Sequence, residues 1–293
     1  MGDEKDQPIP VRLNEPFEKR KVSCISAAEN HSLVSTVDGK VYAWGSNRFG
    51  QLGFAKNGSS TVRFVPRKVE DLKKFFVTKV ACGLRHSVCL TGSGQVLTWG
   101  DNSAGQLGVH GSGGSGIHSV TYLWKAEPVK IAFQVSAGEQ STLVLTRPCI
   151  ESSINNAIYE WGHGMNTPTK VIFPMSRSGI NPISISSGRH HNVALTKCGK
   201  VFSWGFHSES LGTKHSHVPL TSRSMGRPRQ VIALSSEVVV HVSASDDHTA
   251  VVTDTGSLYT FGASNKDVLG HTGVKFQQST KKVVGVQRVI SGK

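Results

Sequence analysis

The 293-residue chain lacks the features on which secreted and membrane proteins depend. Its five cysteines include no C-x-x-C pair, so we expect reduced thiols, as in an intracellular protein. Residues 1–20 are polar and contain no apolar signal-peptide core. The longest apolar run, 231–242, is interrupted by Ser235-Ser236-Glu237 and is too short to span a bilayer. We therefore predict an intracellular protein, located in the cytoplasm, the nucleus or both.

Signatures of catalysis are also missing. The sequence contains no G-x-S-x-G, no Walker-type Gly-Lys-Ser/Thr and no H-E-x-x-H motif. Residues 111–116 match G-x-G-x-x-G, but no helical pattern follows them, so we interpret them as a flexible Gly/Ser loop. The spacing of His207, His215 and His217 suits no standard zinc site. We predict that the chain is not an enzyme and needs no cofactor or metal.

Acidic residues are scarce relative to basic ones: 20 against 33, a formal net charge of +13. The excess is concentrated in residues 51–100, which hold eight basic and two acidic residues. Such a patch could contact DNA phosphates, an acidic protein tail, anionic lipid or a GTPase, although a solvated set of loops on a basic protein explains it as well. The candidate partner-binding residues are Arg48, Phe49, Arg63, Arg67, Lys68, Lys73 and Lys74.

A repeated frame dominates what is present. The stretch from His31 through Trp44-Gly45 to Leu52-Gly53 returns four more times. In four copies the aromatic residue follows the histidine by thirteen positions, which indicates a constraint on the backbone rather than a catalytic spacing. The third copy has Ser141 in place of histidine, a seven-residue insertion within 147–156 and no Leu-Gly. The frame residues are His31, Trp44, Gly45, His86, Trp99, Gly100, Trp161, Gly162, His191, Trp204, Gly205, His248, Phe261 and Gly262.

Each copy reads as four short strands. Residues 32–36 and 40–44 flank Asp38-Gly39, a strong two-residue hairpin signal, and equivalent turns recur at Ser93-Gly94, Cys198-Gly199 and Thr255-Gly256. A β-rich run precedes each hairpin, and a fourth short strand follows it. The aromatic residues of successive frames are 55, 62, 43 and 57 positions apart, which fits radial repeats with loop insertions. The sequence predicts an all-β propeller with aromatic residues in the blade cores.

The repeat boundaries follow from this spacing. A flexible leader over 1–21 precedes five repeats and the start of a sixth. We interpret the repeated histidines as structural groups that hydrogen-bond backbone between blades, because no carboxylate stands at a fixed offset from them. The predicted repeats are 22–76, 77–132, 133–181, 182–237, 238–285 and, in part, 286–293.

A family resemblance rests on Gly83-Leu84-Arg85-His86, Trp99-Gly100 and the run 105–108, Gly-Gln-Leu-Gly. These segments resemble the repeats of the regulator of chromosome condensation family, which implies a seven-bladed propeller and hence an incomplete ring here, unless the strand at 22–28 closes a smaller one. Propellers of this family serve a guanine nucleotide exchange factor, a plant UV photoreceptor and ubiquitin ligases, so the resemblance implies a fold rather than one function. Leu84, where the photoreceptor pattern has Trp, argues against light sensing.

Two functions therefore remain open. The first is a non-catalytic scaffold that recruits another protein through its variable loops, as a module of a larger regulatory or ubiquitin-ligase adaptor protein. The second is a guanine nucleotide exchange factor for a Ran-type GTPase that also binds chromatin, with the 147–156 insertion as its wedge. Residues 44–54 with 66–72, the short third repeat over 160–171, and 204–212 look like the propeller region of the inhibitor of Bruton tyrosine kinase. This narrower resemblance implies a kinase or ubiquitin-ligase components as partners. The loop candidates are 48–49, 56–74, 109–122, 147–156 and 207–229.

Overall fold

In the computed structural model, the described residues form five four-stranded antiparallel sheets, which we call blades 1 to 5 in chain order. In every blade the four strands are neighbours in chain order, so each blade is a simple meander. The structure describes residues 12–13, 16–54, 61–111, 113–119, 130–148, 155–174, 179–206, 208–213, 226–263, 268–271 and 276–283. Short 3₁₀ turns occupy Glu70–Leu72, Ser208–Leu211 and Ile232–Leu234.

The strand bounds are as follows. Blade 1 consists of β1 (Val22–Ala27), β2 (His31–Thr36), β3 (Val41–Ser46) and β4 (Val62–Lys68). Blade 2 consists of β5 (Val77–Cys82), β6 (His86–Thr91), β7 (Val96–Gly100) and β8 (Gly114–Ser119). Blade 3 consists of β9 (Lys130–Ala137), β10 (Ser141–Pro148), β11 (Ala157–Gly162) and β12 (Met165–Lys170). Blade 4 consists of β13 (Pro182–Ser187), β14 (His191–Thr196), β15 (Val201–Gly205) and β16 (Arg229–Gln230). Blade 5 consists of β17 (Val239–Ala244), β18 (His248–Thr253), β19 (Leu258–Ala263) and β20 (Phe276–Lys282).

The thirteen-residue spacing is a hairpin register. In blade 2 the residue that opens the second strand, His86, lies directly opposite Gly100, and all five blades share this pairing. Gly100 has φ 109°, and a Cβ there would lie 2.6 Å from the Arg85 carbonyl oxygen, so only glycine fits without strain. The predicted hairpin glycines, such as Gly39 at φ 76°, also lie in the left-handed region.

Apolar side chains bury themselves mainly between successive blades. Trp99, Trp161, Trp204 and Phe261 are each at most 1% exposed. Three of them are covered by the Leu-Gly loop of the preceding blade; Gly53, for example, lies against Trp99. Trp44 is only partly buried, because it belongs to the first blade and no described loop precedes it.

The first strands of the five blades surround a common centre. The ends of β1, β5, β9, β13 and β17 all line one cavity of about 390 Å³. This arrangement, together with the meander in each sheet, confirms the predicted propeller of four-stranded blades.

Three local features differ from the regular repeat or from what the sequence predicts. Gly114–Gly116, interpreted from sequence as flexible loop, begin strand β8 instead, because they pair with β7 at Gly100. Phe76 is 57% exposed and packs over Gly39, so this aromatic residue does not contribute to a blade core. In blade 3 the missing Leu-Gly loop leaves a tight connection through His163-Gly164, in which His163 has φ 50°.

Candidate protein-interaction face

The blades have two distinct ends. One end carries the turns between first and second strands and the loops between third and fourth strands, and we call it the upper face. The lower face carries the turns between second and third strands and the connections from one blade to the next. Buried frame residues lie between successive blades and position the upper-face loops.

The frame histidines couple one blade to the next. Their partners include side-chain hydroxyls of the following blade. The rings of His31 and His86 also hydrogen-bond to the backbone of His86 and Ser141, the kind of partner expected from the sequence. In the first pair, Ser87 Oγ donates its hydrogen to the Gln51 carbonyl oxygen at 2.7 Å. It can therefore only accept a hydrogen bond from His31, so the ring carries its hydrogen on Nε2. Burial lowers the pKa of His31 to about 4, so the ring is neutral. The three couplings are His31 Nε2 to Ser87 Oγ at 2.9 Å, His86 Nε2 to Thr142 Oγ1 at 2.9 Å and His191 Nε2 to Thr249 Oγ1 at 2.8 Å.

We call the junction between two successive blades a seam, and a tryptophan adds a hydrogen bond at the first two seams. Trp99 Nε1 donates to the Gln51 carbonyl oxygen at 2.8 Å, and Trp161 Nε1 donates to the Gln106 carbonyl oxygen at 2.9 Å. The side chains of both glutamines are buried and accept backbone N–H groups of their own loops at 2.9 Å. Each Gln-Leu-Gly loop is therefore fixed both internally and to the neighbouring blade, which makes the upper-face loop tips rigid.

Blade 3 replaces its missing loop with a buried carboxyl group, that of Glu160. In blades 2 and 5 the residue before the frame aromatic is Thr98 or Thr260, whose hydroxyl donates to the carbonyl oxygen of the loop leucine. Glu160 occupies this position and instead reaches blade 4, where it accepts hydrogen bonds from Trp204 and Asn192. Sequence reasoning missed this residue. The available signal was a glutamate before Trp161 in the one repeat without Leu-Gly.

The predicted basic patch is divided between the two faces. Arg63 lies opposite Gly45 near the upper face, whereas Lys68 lies opposite Tyr42 near the lower face, about 15 Å along the strand. Lys68 forms an ion pair with Glu70 at 3.2 Å. The seven candidate residues therefore do not form one contiguous patch, because β4 runs from one face to the other. The upper-face members are Arg48, Phe49 and Arg63, and those at or toward the lower face are Arg67, Lys68, Lys73 and Lys74.

Two arginines from neighbouring blades meet on the upper face. The Arg85 guanidinium carbon lies 4.6 Å from the centroid of the Phe49 ring, and that of Arg48 lies 5.9 Å from the same centroid. Both arginines are exposed and Phe49 is half-buried. We call these three residues the Arg48–Phe49–Arg85 cluster. Arg85 belongs to the basic excess of residues 51–100 but was not among the candidate partner-binding residues, because only the fold brings its turn beside the loop of blade 1.

Charges of the opposite sign surround the central opening on the same face. Glu29, Glu139 and Asp246 lie at the turns of blades 1, 3 and 5 and line the central cavity. Glu139 is engaged by Arg189, whose Nε lies 3.1 Å from Glu139 Oε2. The upper face therefore presents a basic cluster beside a largely acidic opening.

Several remaining predictions can be located only in part. Among the described residues no three His, Cys, Asp or Glu side chains form a metal-binding group. Within that same part of the chain no helix is long and apolar enough to cross a membrane. The residues His207, His215 and His217, most of the 147–156 insertion and residues 120–129 lie outside the described residues.

Comparison with known proteins yields one family and several relatives. The model of the RCC1-like domain matches residues 1–292. The RCC1 domain-containing protein RUG3, mitochondrial, of Arabidopsis thaliana is 31% identical over 290 residues, which are 96% of this chain and 62% of that protein. The probable E3 ubiquitin-protein ligase HERC6 of Homo sapiens is 30% identical over 270 residues, 91% of this chain and 26% of the ligase. The chain thus spans about three fifths of one relative and a quarter of the other.

A solved structure agrees with the fold. The crystal structure of human WBSCR16 has a TM-score of 0.76 to this chain at 22% sequence identity. The superposition covers 94% of this chain and 70% of that protein. At this level of identity the similarity supports the propeller alone.

Proposed function

Because the chain belongs to the RCC1-like domain family, we propose that it is a non-catalytic protein-interaction scaffold, the propeller module of a larger regulatory or ubiquitin-ligase adaptor protein. The observation that carries this proposal is that structural residues and variable loops are separate within each repeat. The histidine and tryptophan of a frame, such as His86 and Trp99, are buried and hydrogen-bonded between blades. The loops between third and fourth strands, which differ from blade to blade, are held by that frame at the upper face, as expected of a binding surface on a rigid scaffold.

The relatives support an adaptor role without defining it. HERC6 is named as a probable ubiquitin-protein ligase, and the part that resembles this chain is a quarter of its length. A propeller within a ligase suits substrate or partner recruitment, because variable loops on a rigid scaffold form a broad binding surface. Kinase or ubiquitin-ligase components are accordingly the partners to be sought first.

The face can be identified by site-specific crosslinking. A photoreactive amino acid at exposed Ser103, on the upper face, should capture a partner from cell lysate. The same group at exposed Asp71, on the lower face, is the matched control. Capture at both positions alike, or at Asp71 alone, would remove the upper face from the proposal.

The alternative exchange-factor activity is tested directly. Release of a fluorescent nucleotide from a Ran-type GTPase should not be accelerated by substoichiometric amounts of the full chain. Acceleration, together with retention on nucleosomes, would replace the scaffold with the exchange factor.

Cytoplasmic or nuclear location is also part of the proposal. The plant relative carries the word mitochondrial in its name, which applies to that protein. Imaging of the tagged full-length protein, with a mitochondrial marker as reference, tests the location.

A further inference from the structure

We propose that the Arg48–Phe49–Arg85 cluster binds a carboxylate-rich segment of a partner protein. This inference rests on the proposed function, because it assigns a binding chemistry to the upper face of the scaffold. It concerns the seam between blades 1 and 2, where one loop and one strand turn bring two guanidinium groups to a single aromatic ring.

The cluster is held in place by buried groups beneath it. The backbone N–H of Phe49 donates to Oε1 of Gln51 at 2.9 Å, and Gln51 is 1% exposed. The carbonyl oxygen of Arg85 accepts the backbone N–H of Asp101 at 2.9 Å, directly before the buried His86. Both sides of the seam are therefore fixed before any partner arrives, so binding orders fewer groups and costs less conformational entropy.

The two guanidinium groups have no anionic partner in the described part of the chain. No carboxylate oxygen there lies within 4 Å of Arg48 or Arg85. Asp101, next to the Arg85 turn through its backbone, directs its carboxylate at Ser103 instead, with Oδ1 accepting the Ser103 N–H and Oδ2 the hydroxyl, both at 3.0 Å. Charge complementarity thus calls for an anionic ligand.

The surroundings favour a short acidic peptide over a long polyanion. Planar guanidinium groups match carboxylates with two parallel hydrogen bonds, and the half-buried Phe49 ring offers an apolar contact between them. A nucleic acid backbone needs an extended basic track. Here Glu29, Glu139 and Asp246 line the neighbouring opening together with Arg189, which pairs with Glu139. These carboxylates repel any anion, so they confine the favourable surface to one seam, which is long enough for a short peptide but not for an extended backbone.

Fluorescence anisotropy with a labelled twelve-residue peptide of Asp and Glu around a central leucine tests the proposal on the full chain. Arg48→Gln combined with Arg85→Gln should weaken binding by about tenfold or more, since both charge-assisted contacts are lost. The matched control, Lys73→Gln combined with Lys74→Gln, removes the same charge from the lower face and should stay within about twofold. Arg85→Lys keeps the charge but not the planar fork, and we expect an intermediate loss.

Each other outcome overturns the proposal. Equal losses in both double variants would mean that net charge alone attracts the peptide. Stronger competition by duplex DNA than by unlabelled peptide would assign the cluster to nucleic acid. If no peptide binds while Ser103 still captures a partner, the inference fails and the scaffold stands. Thermal unfolding of every variant shows whether the fold is intact, which these exposed substitutions should preserve.

Discussion

The carboxyl group of Glu160 accepts the indole N–H of Trp204 at 2.9 Å and the amide N–H of Asn192 at 3.1 Å. In blades 2 and 3 the equivalent indoles donate to loop carbonyl oxygens of the preceding blade, so Glu160 takes over the acceptor role that the absent loop cannot fill. Burial raises the pKa of Glu160 to about 7, although the hydrogen bonds from Trp204 and Asn192 lower it in part. A titratable group therefore stands where the other seams have a neutral carbonyl.

Replacing this group should make the seam between blades 3 and 4 less sensitive to pH. In the parent protein the folded-state pKa lies above the ordinary value, so stability falls as pH rises from about 4.5 to about 7. Glu160→Gln keeps a carbonyl acceptor for Trp204 and cannot ionise. Relative to the parent, its free energy of unfolding should improve by roughly 3 kcal/mol between pH 4.5 and pH 8. Urea unfolding at both pH values measures the change.

The control is Glu29→Gln, which makes the same chemical change at an exposed turn. It should show no comparable gain at high pH. If Glu160→Gln and the parent keep a constant difference in stability across this range, Glu160 does not ionise within the folded seam as proposed.

A second prediction compares two frame histidines. His86 is fully buried and bonded to Thr142, whereas His248 is half-buried and has no hydroxyl partner among the described residues. His86→Ala should therefore lower the free energy of unfolding by about 3 kcal/mol, through a lost hydrogen bond and a cavity, and His248→Ala by less than about 1 kcal/mol.

A double-mutant cycle isolates the coupling between blades 2 and 3. Thr142→Val removes the hydroxyl that His86 contacts and preserves its volume. If the two substitutions at His86 and Thr142 are additive, the hydrogen bond contributes nothing and the histidine acts by packing alone.

The frame could be predicted because its constraint is local. His86 and Gly100 face each other within one hairpin, so their separation appears directly in the sequence. Turn glycines such as Gly39 carry the same kind of signal, since the conformation that they adopt is costly for other residues.

The candidate site could not be predicted in the same way. Arg85 meets Phe49 only because blades 1 and 2 pack side by side, and nothing within either repeat encodes that distance. Conversely, Arg63 and Lys68 are close in sequence but near opposite faces, because an extended strand separates them. Basic residues that cluster along the chain therefore do not all cluster in space.

A third prediction concerns the stability of the protein at low pH. Burial lowers the pKa of His31 to about 4 and that of His86 to about 3, so the stability that these neutral rings contribute is present above about pH 6.5 and is lost as pH falls through these values. The free energy of unfolding of the parent should be lower at pH 4 than at pH 7, and His31 alone should account for about 3 kcal/mol of this difference. His31→Gln retains a donor for Ser87 but does not titrate, and should flatten this acid dependence in thermal melts. An unchanged acid slope would mean that His31 does not remain neutral in the folded protein.

A fourth prediction separates steric fit from backbone conformation at the Trp-Gly glycine. Gly100 and Gly111 have nearly the same φ, 109° and 106°, but a Cβ on Gly100 would meet the Arg85 carbonyl oxygen at 2.6 Å and the His86 Cα at 2.8 Å, whereas a Cβ on Gly111 would meet nothing within 4 Å. Gly111→Ala should cost only the conformational strain, about 1–3 kcal/mol, and Gly100→Ala should cost at least about 2 kcal/mol more, because the hairpin must open to admit the methyl group. Chemical denaturation of the two variants gives both values. Equal losses of stability would show that the hairpin accommodates the methyl group without strain. The requirement for glycine at position 100 would then come from backbone conformation alone.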